Sequence, residues 1–170
     1  LLKTINGNGN VEFTDSGLKC GVKYYYRVNG FRTVDSKNYE GLGSKDYLGL
    51  TTPAQPALKS AKSLGYNTIS IEWTKVEGAT GYEIYRKTTG TYSKIGTVDK
   101  QSTVTFKDEK AVTGVRYQYT VRAFYNKDGI KRVSTYENYI HGTAYPSNPN
   151  LTSVTSVEYN AIELKWDKAD

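Results

Sequence analysis

Thr68-Ile69-Ser70-Ile71-Glu72-Trp73 alternates apolar and polar residues without a break. Side chains of an extended chain point to opposite faces in turn, so this period of two marks a half-buried strand with Ile69, Ile71 and Trp73 inward. Outward from it, residues 82–87 show the same pattern, with Tyr82 and Ile84 inward. The longest strand is expected over residues 115–124. Val115, Tyr117, Tyr119, Val121 and Ala123 would face the core; Arg116, Gln118, Thr120, Arg122 and Phe124 would face outward. Shorter strands are expected over 58–63, 92–98 and 103–106, and one last strand within 131–143. Turn residues separate them at Gly65-Tyr66-Asn67, Glu77-Gly78-Ala79, Thr89-Gly90 and Lys127-Asp128-Gly129. No segment sustains a helical period. Six or seven short strands without a helix predict an all-β, two-sheet sandwich.

The deciding stretch recurs. Ile69, Ile71 and Trp73 return as Ile162, Leu164 and Trp166, each 93 positions later. The same offset relates Pro53 and Pro56 to Pro146 and Pro149, Leu58 to Leu151, and Tyr66-Asn67 to Tyr159-Asn160. It also relates Phe13 and Asp15 to Phe106 and Asp108, Gly21 to Gly114, and Tyr24, Tyr26, Val28 and Phe31 to Tyr117, Tyr119, Val121 and Phe124. Self-similarity at one fixed spacing is the signature of tandem repeats. Residues 1–52 then read as the C-terminal part of one repeat, 53–145 as a complete repeat, and 146–170 as the N-terminal strands of another. The proline pairs mark the joints, where fixed φ favours short, semi-rigid connections. Neither partial repeat holds enough strands to bury its faces, which suggests a segment of a longer array. Mutual completion of the two parts between molecules is the weaker alternative.

Three spaced signatures carry a family resemblance. They are Ile69 to Trp73 with its tryptophan, Gly81-Tyr82 opening the next strand, and the corner Gly114-Val115-Arg116-Tyr117 opening the long strand. Together they resemble fibronectin type III domains, in particular those of Gram-positive bacterial surface and secreted proteins. The corner recurs as Gly21 to Tyr24. The resemblance implies an immunoglobulin-like β-sandwich in tandem repeats of 93 residues, non-catalytic and extracellular. The Leu-x-Pro-Gly that often precedes the corner in this family is replaced by Leu18-Lys19-Cys20-Gly21 and by Ala111-Val112-Thr113-Gly114, and no Arg-Gly-Asp tripeptide occurs.

Composition is ordinary for a folded chain, with 37% apolar residues, and 16 tyrosines explain the low mean hydropathy. The net charge of +6 comes from scattered Lys and Arg, which argues against a nucleic-acid partner. No apolar run could span a bilayer. The single cysteine, Cys20, cannot form an intrachain disulfide and is replaced by Thr113 one repeat on, so the fold does not require sulfur there. The single histidine, His141, corresponds to Leu48. A histidine-dependent triad would thus be private to one repeat. Asp15 and Asp108-Glu109 read as isolated turn carboxylates rather than metal ligands. No catalytic residue, metal or cofactor is expected.

Outward aromatic residues are the remaining signal. Alternation exposes Tyr25, Tyr85 and Phe124, while Tyr39, Tyr47, Tyr136 and Tyr139 lie in or before the last strands. Such rings commonly do no more than pair across strands. Alternatively, Tyr85, Tyr136 and Tyr139 form a contact for a glycan, a cell-wall polymer or a host protein. The residues leave three roles open: a spacer whose partners are the neighbouring repeats, a binding module, or an accessory repeat of a carbohydrate-active enzyme.

Overall fold

A computed structural model describes residues 1–169. The described residues form strands, turns and bends without a helix, in two compact units: Leu1–Thr51, and a second beginning at Thr52.

The first unit holds β1 (Tyr24–Tyr26), β2 (Phe31–Val34), β3 (Lys37–Glu40) and β4 (Tyr47–Gly49). They pair as two antiparallel ladders, β1 with β4 and β2 with β3. The turn between β2 and β3 needs positive φ at both Asp35 (49°) and Ser36 (62°), a conformation that short polar side chains tolerate.

In the second unit, one sheet joins β5 (Leu58–Gly65), β6 (Thr68–Trp73) and β9 (Thr105–Asp108). The other runs β11 (Ile130–Val133), β10 (Arg116–Lys127), β7 (Gly81–Lys87) and β8 (Ser93–Val98), with β12 (Ile140–Thr143) also on β10. The inward faces pack as an immunoglobulin-like sandwich. Ile69, Ile71 and Trp73 from the first sheet meet Tyr82, Ile84, Tyr119, Val121 and Ala123 from the second, all fully buried. The Trp73 and Tyr82 rings meet edge to face with centroids 5.3 Å apart. The Tyr82 hydroxyl accepts from the Val76 amide and donates to the Gln101 carbonyl, so the buried ring keeps its polar end satisfied. Gly81 opens β7 because a Cβ there would collide with the Val98 carbonyl and the Phe124 ring.

Four expectations are corrected. Phe124 keeps its outward face but is buried rather than exposed. Its cross-strand partner is Gly81, whose bare backbone leaves room for the ring to lie over it. Thr120, also expected outward, is fully buried and donates to the Asn138 carbonyl. The single strand expected within 131–143 is two strands, β11 and β12. Between the pairs Phe124↔Val133 and Tyr119↔Ile140, β10 advances five positions and its neighbour seven, so two surplus residues leave the ladder as a bulge that covers Thr120. The strand expected over 103–106 runs Thr105–Asp108, which places Asp108 inside the structure.

The remaining strands, β13 (Leu151–Glu158) and β14 (Ala161–Trp166), form a hairpin whose register repeats that of β5 and β6 at the 93-residue offset. Leu151 pairs with Trp166 as Leu58 pairs with Trp73, and both hairpins carry irregularities at equivalent places.

Candidate functional site

Two polar centres of the second unit, one between the two sheets and one on the outer face of the β7–β10 sheet, organise its side chains. Asp108, at the end of β9, is buried. Its Oδ2 accepts from the Tyr119 hydroxyl at 2.8 Å and from Arg86 at 2.7 Å, and its Oδ1 accepts from the Lys110 amide. Arg86 also donates to the Lys110 carbonyl and lies 4.5 Å over the Tyr117 ring. Burial, followed by the adjacent carboxylate, holds the Tyr119 phenol well above its ordinary range. Asp108 makes the expected turn bond, to the Lys110 amide, but is not isolated: the residue also anchors a buried, charge-assisted network. Every acceptor oxygen is occupied by the protein itself, so this is a structural centre. The equivalent Tyr26 donates to Asp15, also at 2.8 Å.

On the outer face, Glu83 accepts from Lys131 and from the Tyr85 hydroxyl, both at 2.8 Å, with Lys94 at 3.5 Å. Burial alone would raise this carboxyl. The hydrogen bonds from Lys131 and Tyr85 outweigh it and leave Glu83 below the usual carboxylate range.

Beside Glu83 lies an aromatic cluster. The Tyr136 ring stands 5.8 Å from both Tyr85 and Tyr92, and the Arg122 guanidinium lies over it at 4.9 Å. Lys87 covers one face of Tyr92 at 4.5 Å, and the Tyr92 hydroxyl donates to Gln118. Tyr139 meets His141 edge on at 5.4 Å. Beyond His141, an open depression is lined by Lys62, Ser63, Arg116 and Tyr145. Tyr136 and Tyr139 keep 45% and 56% of their surface in solvent; Tyr85 is half-buried.

The bulge positions Tyr136. Where the chain leaves the ladder, Ser134 Oγ accepts from the Ala123 amide and the Ser134 carbonyl accepts from Arg122, turning the segment over the sheet face. The first unit contains the same bulge: between Phe31↔Glu40 and Tyr26↔Tyr47 one strand advances five positions and its neighbour seven. Gly43 and Asp46 stand there in place of Tyr136 and Tyr139, and Asp46 pairs with Arg27 at 2.8 Å. The bulge itself therefore forms without tyrosines at these two positions.

Of the aromatic residues singled out from the sequence, Tyr85 and Tyr136 are brought into contact, Tyr139 meets His141 instead of another tyrosine, and Phe124 lies covered over Gly81 beneath Lys131. Tyr25, Tyr39 and Tyr47 are exposed, and Tyr39 lies beside Lys37 rather than another ring. Tyr92 and Arg122 were missed. Tyr92 precedes β8 and becomes a neighbour only through sheet pairing, although its place in a polar turn with an aromatic ring was a visible signal. Burial pushes the Cys20 thiol up, the wrong direction for a reactive thiolate. Among the described residues no group of three His, Cys, Asp or Glu side chains could hold a metal, and no helix is long and apolar enough to cross a membrane.

Comparison with known proteins adds a family. Residues 65–139 match the family model described as fibronectin type III domain, SaeA third domain. An amylopullulanase of Thermoanaerobacterium saccharolyticum is 32% identical over 139 residues, which are 76% of this chain and 10% of that protein. Exoglucanase B of Cellulomonas fimi is 25% identical over 172 residues, 91% of this chain and 15% of that protein. The chain thus spans a small fraction of these relatives. A crystal structure of an Fn3-like protein from Clostridium thermocellum is 29% identical with a TM-score of 0.44, covering 58% of this chain and 98% of that one.

Proposed function

Because the central repeat is a fibronectin type III domain, a non-catalytic module, we propose that the chain is an accessory spacer segment of a larger bacterial carbohydrate-active protein acting outside the cell. The observation that carries this reading is the pattern of similarity. The chain aligns over most of its length with proteins named as amylopullulanases and an exoglucanase, yet with only 10% and 15% of their lengths. That is how a module passed between large proteins behaves, and what the relatives share is the module, not the chemistry.

The architecture supports the role. The core is filled by Trp73, Tyr82 and Tyr119, and the charged centres at Asp108 and Glu83 are consumed by internal pairing. Such a body resists deformation and presents its neighbours without acting on a substrate. We assign 1–52, 53–145 and 146–170 to three successive repeats, supported by the 93-residue offset in sequence, register and bulges. Placement outside the cell is the reading that a polymer-degrading parent favours, since a glucan polymer met outside the cell cannot cross its membrane.

The test is to read the coding sequence on both sides of this segment. A glycoside hydrolase domain in the same frame is the expected result. A frame that closes at both ends, or continues only into a wall-anchoring segment, overturns the accessory role. A reducing-sugar assay of the chain with starch, pullulan and cellulose should detect no product.

A further inference from the structure

The geometry points to the outer face of the β8–β7–β10–β12 sheet as a contact site for a neutral glucan chain, with Tyr136 and Tyr139 as the rings that meet the sugar. The spacer reading does not require any such contact. The inference rests on that reading only for the choice of glucans as probes.

Three observations carry it. First, the bulge itself does not require tyrosines. The same two-residue bulge stands in the first unit with Gly43 and Asp46 at the equivalent positions.

Second, the rings are held yet open. Arg122 and Tyr85 fix Tyr136, and His141 fixes Tyr139. Both rings nevertheless keep about half of their surface in solvent, at 45% and 56%. Pre-ordering removes the entropy cost of immobilising a ring when a ligand arrives.

Third, the surrounding chemistry suits an uncharged, hydroxyl-rich partner. The carboxylate within the sheet, Glu83, is neutralised by Lys131 and Lys94, Arg122 is engaged with the Ser134 carbonyl, and the exposed Glu137 stands between the two tyrosines in the chain. What remains is a mixture of apolar ring faces with amide, imidazole and phenol groups at Gln118, His141 and Tyr92. A pyranose offers the matching pair, an apolar C–H face for the rings and hydroxyls for the polar rim. A polyanion would instead draw on Lys87 and Arg122, which meet rings and a carbonyl rather than carboxylates, and its binding would be lost with salt.

The experiment is calorimetric titration of the full 170-residue chain with maltoheptaose and with cellohexaose, the two arms separating α-linked from β-linked glucose. Tyr136→Gly and Tyr139→Asp are tested beside it. Each installs the residue that the first unit carries at the same place, and unchanged melting would verify that it folds. Saturable binding of at least one oligosaccharide is expected, weakened about tenfold in each variant and little changed by added salt. Absence of binding to both oligosaccharides, equal binding by both variants, or binding abolished by salt overturns the site. None of these results alters what the flanking coding sequence says about the spacer role.

Discussion

The hairpins β5–β6 and β13–β14 share a register, two irregularities and a left-handed turn residue, Asn67 (φ 54°) in one and Asn160 (φ 62°) in the other. Their apolar residues meet opposite fates. Trp73, Ile71 and Ile69 are fully buried, whereas Trp166, Leu164 and Ile162 are 61%, 51% and 67% exposed. Only β5–β6 lies beneath a second sheet. The difference teaches that strand pairing and turn chemistry are local properties of the segment, while burial belongs to the pair of sheets. A hydrogen-bonded ladder can form wherever its residues alternate; the hydrophobic free energy arrives only when the opposing face does.

The sharpest way to break this comparison is to truncate the two tryptophans. Trp73→Ala should cost about 3–5 kcal/mol, since it empties a fully buried site between the sheets. Trp166→Ala should change stability by no more than about 0.5 kcal/mol. Urea unfolding followed by tyrosine fluorescence and circular dichroism measures both. Equal losses would mean that the second hairpin is covered in solution.

The polar networks sharpen it next. Tyr119→Phe leaves the buried Asp108 short of a donor and should cost about 1–3 kcal/mol. Tyr26→Phe removes the equivalent bond to Asp15 in a more open setting and should cost less, which chemical denaturation of each variant would test. The corner hydroxyls follow. Tyr117 accepts from the Val112 amide and Tyr24 from the Lys19 amide, so Tyr→Phe at either should cost about 1 kcal/mol or less, with the larger loss at the more buried Tyr117.

The smallest effects are in pH dependence. The folded-state pKa of Glu83 is depressed, so its contribution is fully present above the ordinary carboxylate range near ~4.3 and is lost as pH falls through the lower folded value. Glu83→Gln should flatten that acid limb of the stability profile. The folded-state pKa of Tyr119 is raised, so the neutral phenol is favoured in the fold and stability declines as pH rises beyond ~10. Tyr119→Phe should remove that part of the alkaline decline. A melting series across pH with each variant checks both signs.

Much of this was legible along the chain. Thr68–Trp73 alternates so regularly that its strand, face and ends could be read directly, and Gly81-Tyr82 marked the start of the next strand. The candidate site was legible only in part. Tyr85, Tyr136 and Tyr139 stood out as aromatic residues on polar faces. Phe124 shares that face, but nothing local reveals that Gly81 lies opposite it and lets the ring lie buried against the backbone. Tyr92 and Arg122 were invisible as neighbours of Tyr136, being separated from it by 44 and 14 positions and joined only by strand pairing and a bulge.

By itself, then, the sequence determined most strands of the second unit, their inward faces, the positions of the turns and the 93-residue recurrence, because each is written in the local order of residues. Tertiary structure alone decided which apolar faces leave water, that the turn carboxylate Asp108 is also a buried anchor, and that four tyrosines from three separate segments share one sheet face. Those outcomes depend on which strand lies opposite which, and a second sheet, a facing glycine or a two-residue bulge leaves no mark in the alternation of a single strand.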